Sequence, residues 1–211
     1  MKKYLIDFDT GVLPEGVKDI IHSAAFYDSS CSNTARTIYI EGAERMYLKI
    51  AASGSLEREF NMCSFLSSKS LAPEVIKYEK DDSGDYLLTL CVQGEDGTSE
   101  MYLERPFELA QVFGESLRVL HSIPHENCPY TERNEEIIKE ALENASNGGV
   151  DRDFLQQELG VSVDKALTDV LLMKDIAIKD VVIHGDYCLP NIILKDFIFS
   201  SFIDAGYGGL G

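Results

Sequence analysis

Apolar and polar positions change their period along this chain, from strand-like to helical and back. Between Ala24 and Val92 short alternating or continuous apolar runs, bounded by turn residues, predict strands. They cover Ala24 to Asp28, Arg36 to Ile40, Arg45 to Ile50 and Tyr86 to Val92. The last is entered through the turn Asp81-Asp82-Ser83-Gly84 and runs into a linker marked by Gly94. One helix interrupts them, because Leu56, Phe60, Cys63 and Leu66 recur at helical spacing within Ser55 to Leu66. After Gly94 the helical period takes over. Pro106 opens a helix with Phe107, Ala110, Phe113, Leu117 and Leu120 on one face. Asn134 to Asn147 repeats the pattern through Ile137, Ile138, Ala141 and Leu142, and Ser162 to Lys174 through Val163, Ala166, Leu167, Val170 and Leu171. Strands return at Val181 to Ile183, Ile192 to Leu194 and Phe197 to Ile203, the last two joined by a tight turn at Lys195-Asp196. The pattern predicts an α+β protein of two lobes: residues 1–92, β-rich with one central helix, and residues 93–211, mainly helical and carrying a small hairpin.

The chemistry collects around that hairpin. His184-Gly185-Asp186-Tyr187-Cys188-Leu189-Pro190-Asn191 is followed by Phe202-Ile203-Asp204-Ala205-Gly206. Asp186 falls in the loop beyond a strand end, and the hairpin folds Asn191 at its start back towards Asp204 at its end. Magnesium takes hard oxygen ligands, one or two of them from protein, which suits Asn191 and Asp204. Asp186 is left to accept the proton of an attacking hydroxyl and to aim it. Upstream, Lys49 lies near the end of an alternating strand, where a fixed cation neutralises phosphate oxygens. Glu59 sits one turn from Leu56 and one from Cys63, so it reaches inward to Lys49, whereas Glu57 points elsewhere. No Walker-type G-x-x-x-x-G-K-[ST] occurs.

The interval from Asp186 to Asn191 and on to Asp204 follows the logic of H-R-D-x-x-x-x-N and D-F-G in protein kinases, with Gly185 for the Arg and Asp-Ala-Gly for Asp-Phe-Gly. The segment as a whole resembles the aminoglycoside 3'-phosphotransferases, small-molecule kinases related to protein kinases. Leu120-His121-Ser122-Ile123-Pro124 and Cys128-Pro129-Tyr130 also resemble that family, and the likeness extends from about Ser30 to the end. The resemblance implies a protein-kinase-like fold, ATP and Mg2+ as cofactors, and phosphorylation of the 3'-hydroxyl of an aminoglycoside antibiotic, hence resistance. It further implies that the adenine bonds the backbone of Leu90, Cys91 and Val92, with Thr89 at the mouth. Ser32 and Asn33, in the polar loop Ser30 to Thr34, either contact β-phosphate oxygens or form a plain hairpin turn. Asp151, Asp153 and Glu158 either bind substrate amines or belong to a solvated acidic loop between helices. Two departures stand out. Tyr207 occupies a place where the family usually has Arg or another polar residue. The family continues past residue 211 with helices that complete the lower lobe, so a truncated C-terminal lobe is expected.

Composition bounds the rest. The chain has 211 residues, 36 acidic against 19 basic, and a net charge of −17. Phosphate contacts need a basic face, so nucleic acid is excluded as a partner, while a cationic amino sugar would be attracted. Five cysteines without C-x-x-C spacing fit neither a disulfide framework nor a zinc site. Asp7 and Asp9 cut the apolar opening short of a signal peptide, and no run is long enough to span a membrane. A cytoplasmic monomer or weak dimer is expected. Asp7-Phe8-Asp9-Thr10-Gly11 resembles the D-x-D-x-[TV] loop of haloacid-dehalogenase phosphatases, but Gly11 breaks its fifth position and the reading leaves the C-terminal constellation unexplained. Other hydroxyl substrates (choline, a macrolide, homoserine) and an inactive remnant remain as alternatives.

Overall fold

The computed structural model describes residues 3–173 and 181–211. The opening Met1-Lys2 and the last residue of the third expected helix, Lys174, lie outside them. The first lobe runs in the order β1 (Tyr4–Ile6), α1 (Glu15–Lys18), β2 (Ala25–Asp28), β3 (Ala35–Glu41), β4 (Arg45–Ala51), α2 (Glu57–Ser67), β5 (Val75–Asp81) and β6 (Gly84–Leu90). Its six strands form one antiparallel sheet in the order β1-β2-β3-β4-β6-β5. Ile38, Ile40, Met46, Leu48 and Leu88 supply its buried face, covered by Phe8, Leu13 and Val17 of the N-terminal segment. The acidic opening thus serves packing: Asp9 accepts from the Gly11 N–H at 2.8 Å and caps a short 3-10 turn.

The second lobe contains β7 (Glu95–Asp96), α3 (Glu100–Leu103), α4 (Pro106–Ser122), α5 (Arg133–Ser146), α6 (Arg152–Glu158), α7 (Val163–Met173), β8 (Val182–Ile183), β9 (Ile192–Lys195), β10 (Ile198–Phe202) and β11 (Gly209–Leu210). The hairpin β9–β10 takes β7 as a third strand, and β8 pairs with β11. Gly94 lets the linker pass against β9: with φ of +128°, a Cβ there would stand 2.2 Å from the Leu194 carbonyl oxygen.

Three expectations need correction. The inward face of α4 is Leu109, Val112, Ser116 and Leu120, while Phe107 is 91% exposed and Ala110 is also exposed. Ser116 hid this stripe, since its hydroxyl satisfies itself on the Val112 carbonyl at 2.7 Å and so can be buried. In α7, Leu171 is exposed. The acidic stretch after Gly149 is not a loop but α6, a helix capped by Asp151, whose carboxylate accepts from the Phe154 N–H at 2.9 Å.

Helix α2 joins the two lobes. Its Met62, Phe65 and Leu66 are buried together with Leu120, Val182, Ile192, Leu194 and Phe202 of the second lobe. Its start is not capped by its own side chains. Instead Asp85 on β6, fully buried, accepts from the N–H groups of Gly54 and Leu56 at 2.8 Å each and from the Tyr78 hydroxyl at 3.1 Å. Burying unpaired backbone donors is costly, so this carboxylate fixes where α2 begins. Asp85→Ala is expected to destabilise the fold by about 1–3 kcal/mol in urea titration, with Asp85→Asn losing less because it keeps one acceptor.

Candidate active site

Lys49 lies on β4, and its ammonium is held by two carboxylates from different parts of the chain. Glu59 of α2 accepts from it at 2.7 Å, and Asp204, just after β10, forms the second ion pair. Lys49 and Glu59 are largely withdrawn from solvent, with side chains 17% and 18% exposed. Burial pulls the Lys49 pKa down, but the Glu59 and Asp204 carboxylates more than offset this and raise it above the ordinary lysine value. The ammonium is therefore a permanent charge. Behind Glu59 the buried Cys63 thiol is pushed up to about 12 by burial and stays protonated.

The second cluster lies on the loop between β8 and β9. Asn191, nearly buried, donates its amide nitrogen to the Asp186 carboxylate at 2.9 Å and to the Asp186 carbonyl at 3.0 Å. These two bonds orient Asp186. The Ile203 N–H bonds the Asn191 carbonyl at 3.0 Å, so entry and exit of the hairpin are tied together one residue before Asp204. Asp204 itself is left-handed, at φ 58° and ψ 39°. Among the described residues no group of three or more His, Cys, Asp or Glu could hold a metal. Asn191 and Asp204 each carry a hard oxygen of the kind that magnesium takes from protein.

Gly185 explains why the two loops can touch. Its φ is +81°, and a Cβ there would lie 2.0 Å from the Tyr207 carbonyl oxygen. An arginine, as protein kinases have at this place, could not be accommodated against that carbonyl. His184, 1% exposed, bonds the Ile203 carbonyl through Nε2 at 2.9 Å, while its Nδ1 meets no hydrogen-bond partner among the described residues. Against a carbonyl, Nε2 must carry the hydrogen. Tyr187 anchors the loop from below by donating to the Phe113 carbonyl. Cys188 has its thiol pKa raised, first by burial and then by Asp186.

The other expected residues are placed as follows. Leu90, Cys91 and Val92 lie half-buried at the end of β6 and just beyond it. The Leu90 N–H is taken by the Glu74 carbonyl at 2.9 Å and the Cys91 N–H by that of Arg45 at 2.8 Å. A purine could therefore draw a backbone donor only from Val92 onward. Ser32 turns its hydroxyl onto Thr34, 2.7 Å from its Oγ1 and 3.0 Å from its N–H, closing its own loop, and Asn33 is exposed. Asp151, Asp153 and Glu158 are exposed on or at α6, and among the described residues no hydrogen bond or ion pair joins them to Asp186, Asn191 or Asp204. Sequence reasoning overlooked Tyr47. It shares a face of β4 with Lys49, and its ring meets that of Tyr39 at 5.2 Å, with Tyr27 next at 5.8 Å from Tyr39. The period-two spacing to Lys49 was the available signal.

A β-sheet lobe, a mainly helical lobe and a lysine held between a helix glutamate and the Asp after the hairpin define a kinase-type phosphotransferase. The chain belongs to the phosphotransferase enzyme family, whose model matches residues 27–211. A probable aminoglycoside 3'-phosphotransferase of Lactococcus lactis is 36% identical over 198 residues, 94% of this chain and 76% of that protein. An aminoglycoside 3'-phosphotransferase of Niallia circulans is 28% identical over 167 residues, and the match spans 78% of this chain but 64% of that protein. Among solved structures, an aminoglycoside phosphotransferase from Streptomyces rimosus, in complex with ADP and streptomycin, superposes with a TM-score of 0.68 at 27% identity, over 88% of this chain and 72% of that one. An aminoglycoside 3'-phosphotransferase of type VIII gives a TM-score of 0.73 at 21% identity, over 92% and 76% of the two chains, and so speaks for the fold.

The buried His184 makes the junction of the two loops acid-sensitive. Burial lowers its pKa below the ordinary value, so the folded state binds the proton less well than the unfolded one. The stability of the neutral form is fully present above about pH 6.5 and is lost as pH falls from there through the folded value. Melting temperatures of the parent and His184→Gln, compared across that range, should fall more steeply with acid for the parent. Parallel curves would contradict this.

Proposed function

We propose that this chain transfers the γ-phosphate of ATP to the 3'-hydroxyl of an aminoglycoside. The observation that carries the reading is the joint placement of Asp186 on Asn191 and of Lys49 between Glu59 and Asp204. Its support from outside the chain is the likeness to aminoglycoside 3'-phosphotransferases over most of the sequence.

In this reading the nucleotide lies against the face of the sheet that carries Lys49, with Tyr47 as an aromatic wall and the backbone at Val92 as hydrogen-bonding edge. Lys49 neutralises phosphate oxygens, and Glu59 keeps the ammonium in place when Asp204 turns to other work. Asn191 and Asp204 are the residues that would hold Mg2+, which when bound supplies neutralisation of charge on the phosphate oxygens. Asp186, fixed by the Asn191 amide, accepts the proton of the substrate hydroxyl and aims its oxygen for in-line attack. Ser32 and Asn33 contribute polar groups above the phosphates. The strongly acidic chain favours a polycationic substrate, and Asp151, Asp153 and Glu158 are the carboxylates assigned to its amines. Such a site does little covalent chemistry itself; positioning and electrostatics supply the rate.

Asp186→Ala should lower turnover of ATP with an aminoglycoside by on the order of 10²–10⁴-fold while leaving nucleotide binding in place. Turnover equal to that of the parent would remove Asp186 from the chemistry. Lys49→Met should instead weaken ATP binding, seen as a raised KM for ATP.

A further inference from the structure

The turn that follows Asp204 closes on one backbone bond of its own, from the Gly208 N–H to the Ala205 carbonyl at 2.9 Å. Ala205, Gly206 and Gly208 have no polar side chain, and the Tyr207 side chain is 60% exposed. Yet a non-glycine residue in the left-handed region is strained and persists only where its surroundings over-determine it. Asp204 is such a residue. Its anchors come from two arginines on different helices. Arg58 of α2 directs Nε to the Gly206 carbonyl at 3.3 Å and Nη2 to the Gly208 carbonyl at 3.4 Å. Arg133, at the start of α5 and 3% exposed, donates through Nε to the Tyr207 carbonyl at 2.8 Å.

Both arginines meet at one atom. Oε2 of Glu136 lies 3.0 Å from Nη2 of Arg58 and 3.2 Å from Nη1 of Arg133, while Glu140 accepts from the same Nη1 at 3.0 Å. The Arg58 guanidinium also stacks 3.8 Å from the centre of the Tyr130 ring. The guanidinium spreads its donors over separate nitrogens and so reaches two backbone carbonyls and a carboxylate at once. Arg58 is the neighbour of Glu59 in α2, and a Cβ on Gly206 would lie 3.4 Å from Cβ of Glu59. One turn of α2 therefore grips both partners of Lys49: Glu59 directly, and Asp204 through the carbonyls of its turn. Arg133 reaches the same turn at the carbonyl that packs on Gly185, next to Asp186.

We propose that Arg58, Glu136 and Arg133 form a positioning triad that sets the Asp204 carboxylate for the metal–nucleotide complex and couples α2 to α5 across the lobes. None of the three needs to touch substrate. The inference rests on the kinase reading given above and extends it to residues outside the reacting groups.

The test is calorimetric titration of the whole chain with ATP, in EDTA and then at rising Mg2+, together with melting curves. Glu136→Ala is the main variant, because Glu136 is partly exposed and Ala is the best helix former, so α5 should persist. It is expected to raise the Mg2+ concentration that half-maximally tightens ATP binding by on the order of 10-fold, the lower end for losing an outer partner of a metal ligand. ATP affinity in EDTA should not change. Arg58→Lys should behave alike, since it keeps the charge and loses the fork. The double variant Arg58→Lys/Glu136→Ala should be no worse than either single one, as expected of one coupled unit. A magnesium response identical to the parent's, or equal loss of ATP affinity with and without Mg2+, would overturn the triad while leaving the kinase reading intact. A parent whose ATP affinity ignores Mg2+ would overturn the kinase reading and the triad with it.

Discussion

Everything in this molecule that bears on phosphoryl transfer depends on one ammonium group shared by two carboxylates. Lys49 comes from the sheet, Glu59 from the helix that bridges the lobes, and Asp204 from the far end of the hairpin. In a site this withdrawn from water an unpaired charge is heavily penalised. The three segments are thus obliged to stay together, and the spacing between the lobes follows.

The burden then falls on whatever fixes α2, because that helix positions two of the three charges. Asp85 sets its start from the neighbouring strand, and Met62, Phe65 and Leu66 bury its inner face in the core of the other lobe. Arg58 extends the same helix onto the turn after Asp204. The start of this helix is thus tied to both lobes, to Asp85 of the first and through Arg58 to the turn of the second.

Much of this was legible in the sequence where chemistry requires particular side chains at particular intervals. Asp186, Asn191, Asp204, Lys49 and Glu59 could be chosen from strand ends, hairpin geometry and helical spacing, and the structure pairs Lys49 with Glu59 and Asp204, and Asp186 with Asn191. What escaped depends on long-range or backbone contacts that leave no periodic trace. Asp85 caps a helix that begins some thirty residues earlier in the chain. Leu90 and Cys91 have their N–H groups occupied by sheet neighbours that the sequence does not announce. The face of α4 was misread because a buried serine can satisfy its own hydroxyl, and α6 because its capping aspartate looks like one more loop acid. Gly185 was visible as a departure from protein kinases, but its reason, a carbonyl pressed against its Cα, needed the fold.

The relatives this chain matches are longer than it is, with 76% of one and 64% of another spanned. The most direct test compares ADP release by the purified chain with Mg2+, ATP and either an aminoglycoside bearing a 3'-hydroxyl or its 3'-deoxy counterpart. The account predicts ADP release with the first and none above background with the second. Equal release with both, or none with either, would contradict it.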